Sequence, residues 1–327
     1  MNIVLTTSNY YVPYTYVCMQ SILESTFGDI VFYILSNDIS EESKEKIENL
    51  RKIRDFDIKY VPVNTSTYPI PKQARAASIV YAKMYLPDLI PDVDKCIVLD
   101  SDIIVKCDLS EIYNIDLKGK YVAWVPDQID TRIKKERYWF DAFNMPKEKL
   151  YINSGVLILN LSLYKKDQIS SKINQVYKTY KDDIRFFDQD ILYILLSDKC
   201  IYLDYKYNYL SQLPYTDPKV KKKLKKECQI IHYGAEYKPW LYLDEEKAEI
   251  WWSYARKTPF YEEILSRMID FKISQRPQFD YHTMYMLAHP IYFKLKKLRY
   301  RLLKHITFGH KRQHYRKKYQ TLKDQLK

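Results

Sequence analysis

Glycine, paired cysteine and long apolar runs are scarce or missing in this chain of 327 residues. Glycine occurs five times, and the five cysteines form no Cys-x-x-Cys pair. This odd and scattered set argues against a disulfide framework or a zinc site, and it favours a reduced, cytoplasmic protein. The N-terminus has no basic segment followed by an apolar one, so we expect no signal peptide. No apolar run approaches the roughly 18 residues that a membrane span requires.

The net charge of +12 comes from one end of the chain. Residues 290–327 contain 13 Lys and Arg and one acidic residue, whereas the other 289 residues contain 40 of each sign. The globular part is therefore neutral, and the basic excess carries no information about a catalytic site. It indicates instead an anionic partner for the tail.

Strand and helix patterns alternate along the first part of the chain. Apolar runs predict strands, and amphipathic spacing or a capped acidic start predicts helices, at residues 2–7, 14–25, 29–35, 40–54 and 57–63. This order is typical of a parallel sheet covered by helices, in which ligands bind beyond the carboxyl ends of the strands. A further helix is predicted over residues 74–86.

Two carboxylates interrupt the apolar run of residues 96–105, at Asp100 and Asp102. An unpaired buried carboxylate is very costly, so the two acids must be paired or must share a cation. We expect the strand to end at Asp100, a turn at Ser101, and a divalent ion bound by both acids. Hard oxygen ligands suit Mn²⁺ or Mg²⁺. A pair of surface acids at a strand end is the alternative interpretation.

His232 follows a short apolar strand and precedes a turn of small residues. A single histidine is more often structural than a ligand. Here Gly234 and Ala235 permit a close backbone approach, and Lys238 adds a fixed positive charge. This combination suits a metal-bound diphosphate, because imidazole supplies a ligand and the ammonium neutralises phosphate oxygens.

Asp188, Gln189 and Asp190 lie at the predicted start of a helix. A simple helix cap is one interpretation, and Asp190 can have that role alone. The same cluster could bind sugar hydroxyls or stabilise a developing positive charge.

Five segments in this order resemble glycosyltransferase family 8, the retaining enzymes that include bacterial lipopolysaccharide galactosyltransferases and glycogenin. The resemblance covers about residues 1–245. It rests on NIVLTTSNYYVPY, YAKMYLPDLIP, KCIVLDSDIIV, YINSGVLILNL with FFDQDIL, and IIHYGAEYKPW. The resemblance implies an α/β GT-A nucleotide-diphospho-sugar transferase fold, with a Rossmann-like mixed sheet and covering helices. It also implies a UDP-sugar donor and Mn²⁺, with Mg²⁺ as the alternative ion.

The resemblance also implies roles for particular residues. Asp100, Asp102 and His232 would hold the metal, Lys238 would meet the diphosphate, and Lys83 would contact the donor. Asn153, Asp188 and Gln189 would hold the transferred sugar, and Asp127 falls where some members bind the acceptor. The remaining donor-binding positions are Thr7, Ser8 and Asn9, which would line the uridine pocket, together with Ser101 and Ala235. Ser8 stands where many members have Asp, and Ala235 where the family usually has Gly.

The catalytic expectation concerns Gln189 and Asp188. Gln189 occupies the position proposed to lie beneath the anomeric carbon, but an amide is a poor nucleophile. We therefore expect the acceptor hydroxyl to attack from the same face through an oxocarbenium-like state, giving an α-linkage. Asp188 is the rival nucleophile for a double displacement.

We expect three regions: a catalytic domain at 1–245, a helical and aromatic extension at 246–285, and a basic amphipathic tail at 286–327. Apolar residues of the tail fall at helical spacing between lysines and arginines, which is typical of an interfacial helix on anionic lipid. There are two alternatives to lipid binding: the apolar stripe could pack on the protein core, or the tail could bind RNA. Of these partners we expect the lipid surface and not a nucleic acid.

The function expected from the sequence is transfer of galactose or glucose to a hydroxyl of a cell-surface glycan or a lipid-linked acceptor. The protein would act in the cytoplasm, peripherally associated with the inner face of the plasma membrane. The alternative is a non-catalytic RNA- or membrane-binding protein that retains the fold.

Overall fold

The computed structural model describes residues 1–69, 72–127, 138–146, 149–211, 218–234, 236–275, 290–306 and 309–325. The chain forms two compact units, Met1–Asp270 and Phe271–Lys327. The domain boundaries expected at 245 and 285 remain predictions. Within the described residues, no helix combines the length and the apolar character needed to cross a membrane.

In the part of the chain that the structure describes, ten strands form two sheets. They are β1 (Asn2–Thr6), β2 (Val31–Ser36), β3 (Asp57–Pro62), β4 (Lys95–Leu99), β5 (Ile103–Val105), β6 (Val122–Pro126), β7 (Ile152–Asn160), β8 (Cys200–Tyr202), β9 (Tyr209–Leu210) and β10 (Ile230–His232).

The larger sheet has seven strands in the order β3-β2-β1-β4-β7-β6-β8. Strands β3, β2, β1 and β4 are parallel, and β7 runs antiparallel to both β4 and β6. The smaller sheet has the order β5-β10-β9, with β5 antiparallel and β9 parallel to β10. This mixed architecture confirms the predicted α/β GT-A fold class.

The α-helices precede, connect and follow these strands. In the first unit they are α1 (Val12–Ser25), α2 (Glu41–Glu48), α3 (Leu86–Leu89), α4 (Ser110–Tyr113), α5 (Tyr138–Ala142), α6 (Leu161–Lys166), α7 (Ile169–Tyr180), α8 (Phe187–Leu196), α9 (Pro218–Glu227), α10 (Ala248–Ala255) and α11 (Tyr261–Ser274), the last of which extends into the second unit. The second unit contains α12 (Pro290–Ile306) and α13 (Gly309–Gln325). The predicted cap of α2 is present, because the Ser40 side chain accepts a hydrogen bond from the Ser43 N–H.

The central strands are buried on both faces, as their continuous apolar runs predict. Ile3 and Leu5 of β1 belong to one core cluster with Val17 of α1, whereas Val4 belongs to the opposite cluster with Leu192 of α8. Alternate residues of one strand thus anchor two layers of helices.

The strand expected to end at Asp100 ends at Leu99, and the turn expected at Ser101 is present. After this turn the chain enters the smaller sheet, where β5 pairs with β10. The helix predicted over 74–86 is a 3-10 helix, Lys72–Tyr85, which is wound more tightly than an α-helix.

Candidate active site

The turn between β4 and β5 is anchored to the larger sheet. The backbone N–H of Asp100 donates to the Gly155 carbonyl at 3.0 Å, and the Ser101 hydroxyl donates to the Thr6 carbonyl at 2.9 Å. These bonds fix the segment at the carboxyl ends of β1 and β4. Asp100 and Asp102 are therefore presented at the sheet edge where the topology predicts a ligand.

His232, the last residue of β10, completes a three-residue cluster with the two acids. Its Nε2 atom lies 3.2 Å from Asp102 Oδ1 and 3.8 Å from Asp100 Oδ2. One ligand atom from each residue falls within 4.8 Å of the others. Asp102 Oδ1 is buried and has no hydrogen-bond partner among the described residues. Two carboxylates and an imidazole with such an orphaned oxygen fit a divalent ion such as Mn²⁺ or Mg²⁺.

Two of the five glycines pack against the His232 ring. A Cβ atom at position 155 would lie 2.2 Å from His232 Cε1, and one at position 234 would lie 2.6 Å from Nε2. Neither distance is possible for a real side chain. Gly155 and Gly234 are therefore required because the imidazole occupies the space of their missing side chains.

Lys83 lies beneath the cluster and is fully enclosed, with 2% of its side chain exposed. Its Nζ atom contacts Asp100 Oδ1 at 2.8 Å, Asp188 Oδ2 at 3.0 Å and the Ser154 carbonyl at 3.3 Å. Burial lowers the pKa of an ammonium, but Asp100 and Asp188 outweigh this effect and raise the pKa of Lys83. Burial also raises the pKa of Asp188, and Lys83 offsets part of that rise. Lys83 thus holds two carboxylates close together.

Lys238 contacts the other side of the cluster. Its Nζ atom donates to Asp102 Oδ2 at 2.5 Å and to the Tyr233 carbonyl at 2.6 Å. Burial alone would raise the pKa of Asp102, but the Lys238 ammonium outweighs this effect and lowers the pKa well below its usual range. Asp102 therefore remains ionised although it is buried.

A chain of side-chain amides runs from the cluster to Gln189. Asn208 bridges His232 Nδ1, at 2.9 Å, and Asn153 Oδ1, at 2.8 Å. Asp127 Oδ2 then accepts from Asn153 at 3.5 Å and from Gln189 at 3.3 Å. The candidate sugar, acceptor and metal positions thus belong to one hydrogen-bonded network.

A cavity of about 230 Å³ opens beside the turn. Its lining includes Thr7 and Ser8, from the predicted donor pocket, and Tyr11, which the sequence analysis did not select. Asn9 is not among its lining residues; its side-chain oxygen accepts from the Ser40 N–H and the Ser43 hydroxyl. The full lining consists of Thr6, Thr7, Ser8, Tyr11, Ile79, Val80, Asp100, Ser101 and Asp102.

Asp190 has the structural role that the sequence allowed. Its carboxylate accepts from the backbone N–H groups of Arg185 and Phe186 and from the Tyr151 hydroxyl. It therefore orders the approach to α8, which carries Asp188 and Gln189. Ala235 lies outside the described residues, and its proposed role remains a prediction.

The glycosyltransferase family 8 model matches residues 2–244, about three quarters of the chain. The chain belongs to glycosyltransferase family 8. The resemblance noted from the sequence is confirmed, and so is the prediction that the protein is an enzyme, a hexosyltransferase of this family.

Individual family 8 relatives are distant in sequence. A Haemophilus influenzae protein whose name describes a glycosyltransferase is 29% identical over 249 residues, covering 73% of each chain. The lipopolysaccharide 1,2-glucosyltransferase of Escherichia coli K12 is 23% identical over 226 residues, covering 67% of this chain and 66% of that enzyme. The chain spans less than two thirds of some other relatives, including 61% of Streptococcus pneumoniae GlyF.

The fold matches a solved family member. The galactosyltransferase LgtC, in complex with donor and acceptor sugar analogues, superposes with a TM-score of 0.68 at 25% identity. The match covers 79% of this chain and 96% of LgtC.

Two residues of the candidate site, Asn208 and Tyr11, were not predicted from the sequence. Asn208 lies in a tyrosine-rich stretch where asparagine is an ordinary turn residue, so no local signal marked it. Tyr11 is the last residue of the polar turn predicted after the first strand, and its ring resembles a core residue in sequence. Only the tertiary contacts distinguish either residue from its neighbours.

Proposed function

We propose that this family 8 enzyme is a retaining, metal-dependent transferase of galactose or glucose. The donor would be a UDP-sugar, and the acceptor a hydroxyl of a cell-surface glycan or lipid-linked glycan, joined in an α-linkage. The buried Asp102 Oδ1 carries this proposal, because an orphaned carboxylate oxygen beside Asp100 and His232 needs a cation. Support for the substrates comes from the LgtC complex with donor and acceptor sugar analogues.

Asp100, Asp102 and His232 would hold Mn²⁺ or Mg²⁺. When bound, such an ion would supply positive charge to the diphosphate leaving group as the bond to the sugar breaks. Lys238 would act beside it, because its ammonium lies at the edge of the cluster and is 17% exposed. The uridine would occupy the cavity lined by Thr7, Ser8 and Ser101.

Lys83 has a different function in this proposal. Its ammonium donates to Asp100 and to the Ser154 carbonyl, and it forms an ion pair with Asp188. We infer that Lys83 supports the donor site by neutralising these two carboxylates. A direct contact with the donor, as the resemblance implies, would compete with these contacts.

The contacts of Asp188 and Gln189 favour attack from the same face. Asp188 is buried and paired with Lys83, which reduces its nucleophilicity. The Gln189 oxygen accepts from the Ser154 N–H at 3.0 Å and directs its NH₂ group towards Asp127. Asn153, Asp188 and Gln189 would position the sugar, and Asp127 would bind the acceptor hydroxyl. Trapping of a glycosyl adduct on Asp188 would overturn this mechanism.

The second unit suits association with an anionic membrane surface. Leu295, Leu298 and Leu302 of α12 lie at helical spacing and are 50–62% exposed. The described parts of α12 and α13 contain twelve Lys and Arg and one acidic residue. We propose that residues 290–327 bind the inner face of the plasma membrane from the cytoplasm, which would bring the enzyme close to a lipid-linked acceptor.

A screen of UDP-sugars tests the donor and the metal together. The full-length protein would be incubated with each UDP-sugar, with Mn²⁺ or with EDTA, and released UDP would be measured. We expect release from UDP-galactose or UDP-glucose that requires the ion. Equal release in EDTA would refute metal dependence, and release from neither sugar would refute the proposed donor.

A further inference from the structure

Strand β7 contains a bulge at the centre of the site. Val125 of β6 pairs with Asn153, but the preceding residue, Trp124, pairs with Leu157. The three intervening residues of β7, Ser154 to Val156, therefore have no partner in β6. The N–H groups of Ser154 and Gly155 donate instead to side-chain oxygens, those of Gln189 and Asn153 respectively, each at 3.0 Å.

The Gly155 N–H fixes the orientation of the Asn153 amide. A backbone N–H can only donate, so the Asn153 atom that faces it must be the oxygen. The same oxygen lies 2.8 Å from the Asn208 amide. Asn208 must therefore present its NH₂ group to Asn153.

The orientation of the Asn208 amide in turn determines which ring nitrogen of His232 carries the hydrogen. With its NH₂ group committed to Asn153, Asn208 presents its oxygen to His232 Nδ1 at 2.9 Å. An oxygen acceptor requires the hydrogen on Nδ1. In the neutral ring, Nε2 then carries the lone pair, and Nε2 is the atom that faces Asp100 and Asp102.

From this chain of contacts we infer that Asn208 is a positioning residue that holds His232 in the Nδ1–H tautomer, with the Nε2 lone pair directed at the metal position. The inference rests on the metal role of His232 in the proposed function. Asn208 is fully buried, and Gly155 and Gly234 pack closely against the ring. Packing can set the plane of an imidazole, but only a hydrogen-bond partner selects its tautomer.

The bulge of β7 thus has a chemical consequence beyond the shape of the strand. Two successive N–H groups, released from the ladder, orient Asn153 and Gln189. Through Asn208, the first of these amides determines which nitrogen of His232 is available as a ligand. The residues proposed to bind the metal and those proposed to bind the sugar therefore both depend on the backbone of residues 154–156.

Nitrogen-15 NMR of the metal-free, full-length protein tests the tautomer directly. Because the protein contains six histidines, the signals of His232 must first be assigned. They are the signals that are absent from the spectrum of His232→Gln. At pH 9 we expect a hydrogen on Nδ1 in wild-type protein, whether or not Nε2, which lies 3.2 Å from Asp102 Oδ1, carries one as well. In Asn208→Leu, which keeps the branching at Cγ but cannot form hydrogen bonds, we expect a shift towards Nε2–H. Asn208→Asp is the matched control, because its carboxylate still accepts from Nδ1–H and should retain the wild-type pattern.

Mn²⁺ affinity, measured by electron paramagnetic resonance, provides the second readout. Loss of a ligand's hydrogen-bond partner commonly costs about 10- to 100-fold in metal affinity, and we expect Asn208→Leu to lose about tenfold or more. An Nε2–H pattern in wild-type protein, or wild-type affinity in a folded Asn208→Leu variant, would overturn the role of Asn208. Failure of wild-type protein to bind Mn²⁺ would instead refute the metal role of His232, whatever its tautomer. The wild-type tautomer decides the question even if the Leu variant does not fold.

Discussion

Gly155 lies so close to His232 that a Cβ atom at position 155 would come within 2.2 Å of the imidazole Cε1. A Cβ atom at Gly234 would likewise come within 2.6 Å of the ring Nε2, so both glycines pack closely against the imidazole. We predict that Gly155→Ala displaces His232 and weakens Mn²⁺ binding by about 10-fold or more, since ligand orientation controls affinity. Calorimetric titration with Mn²⁺ would measure the loss. An alanine variant with unchanged affinity and stability would show that the ring is not confined as described.

Asp102→Asn removes the charge of the orphaned carboxylate while keeping its shape. We predict that the variant folds but loses Mn²⁺-dependent sugar transfer, because a neutral amide is a poor ligand for a hard cation. Transfer assays and circular dichroism would be compared with those of Asp57→Asn, an exposed acid of β3. Wild-type turnover by Asp102→Asn would refute the metal assignment.

Lys83→Met leaves Asp100 and Asp188 without their shared cation. Removing one partner of a buried ion pair typically costs about 3–5 kcal/mol, and we predict a loss of this size in the free energy of unfolding. Lys83→Arg, which keeps the charge, should lose less. Urea unfolding of the metal-free proteins would measure both, and equal stability of Lys83→Met and wild type would contradict the assigned role.

The same variant should have an altered pH profile. Burial already raises the pKa of Asp188, and without Lys83 it should rise further. A carboxyl whose pKa is raised by folding favours the folded state when protonated, so stability is lost as the pH rises. The unfolding free energy of Lys83→Met should therefore fall relative to wild type between about pH 4 and pH 7.

Arg267 of α11 supports the turn that precedes α1. Its guanidinium donates to the Tyr10 carbonyl at 2.6 Å and lies 3.9 Å from the centre of the Tyr10 ring. Tyr10 lies between Ser8 and Tyr11, which line the cavity. We predict that Arg267→Ala raises KM for the nucleotide-sugar severalfold with little change in kcat. Arg256→Ala, at an exposed position of the same region, is the control, and a selective loss of kcat would contradict this explanation.

The apolar stripe of α12 should determine lipid binding. Replacing Leu295, Leu298 and Leu302 by serine should release the protein from anionic vesicles, because buried apolar area anchors an interfacial helix. Co-sedimentation would measure this, with the exposed Phe27→Ser as the control. Strong RNA binding combined with no vesicle binding by wild-type protein would favour the alternative partner.

Local sequence patterns predicted much of the fold and the centre of the site. The continuous apolar runs identified β1, β2 and β4, and the acids within the run 96–105 identified the turn. His232 and Lys238 followed from residue type and spacing. These features depend on nearby residues, which the sequence displays directly.

Features that depend on register could not be predicted in the same way. The departure of β5 to a second sheet depends on its pairing with β10, more than 120 positions away. The bulge in β7 arises from a shift against β6, and the role of Asn208 follows from that bulge. No local pattern distinguishes Asn208 from an asparagine in a surface turn.

The three residues from Asp100 to Asp102 carry the chain from the larger sheet into the smaller one. Asp100 directly follows β4 of the first sheet, and His232 ends β10 of the second. A shift of one sheet relative to the other would change the distance between the Asp100 carboxylate and the His232 imidazole. An ion bound by both residues would therefore favour a single alignment of the two sheets. By reciprocity, a substitution that loosens the small sheet should weaken ion binding even when every ligand is intact.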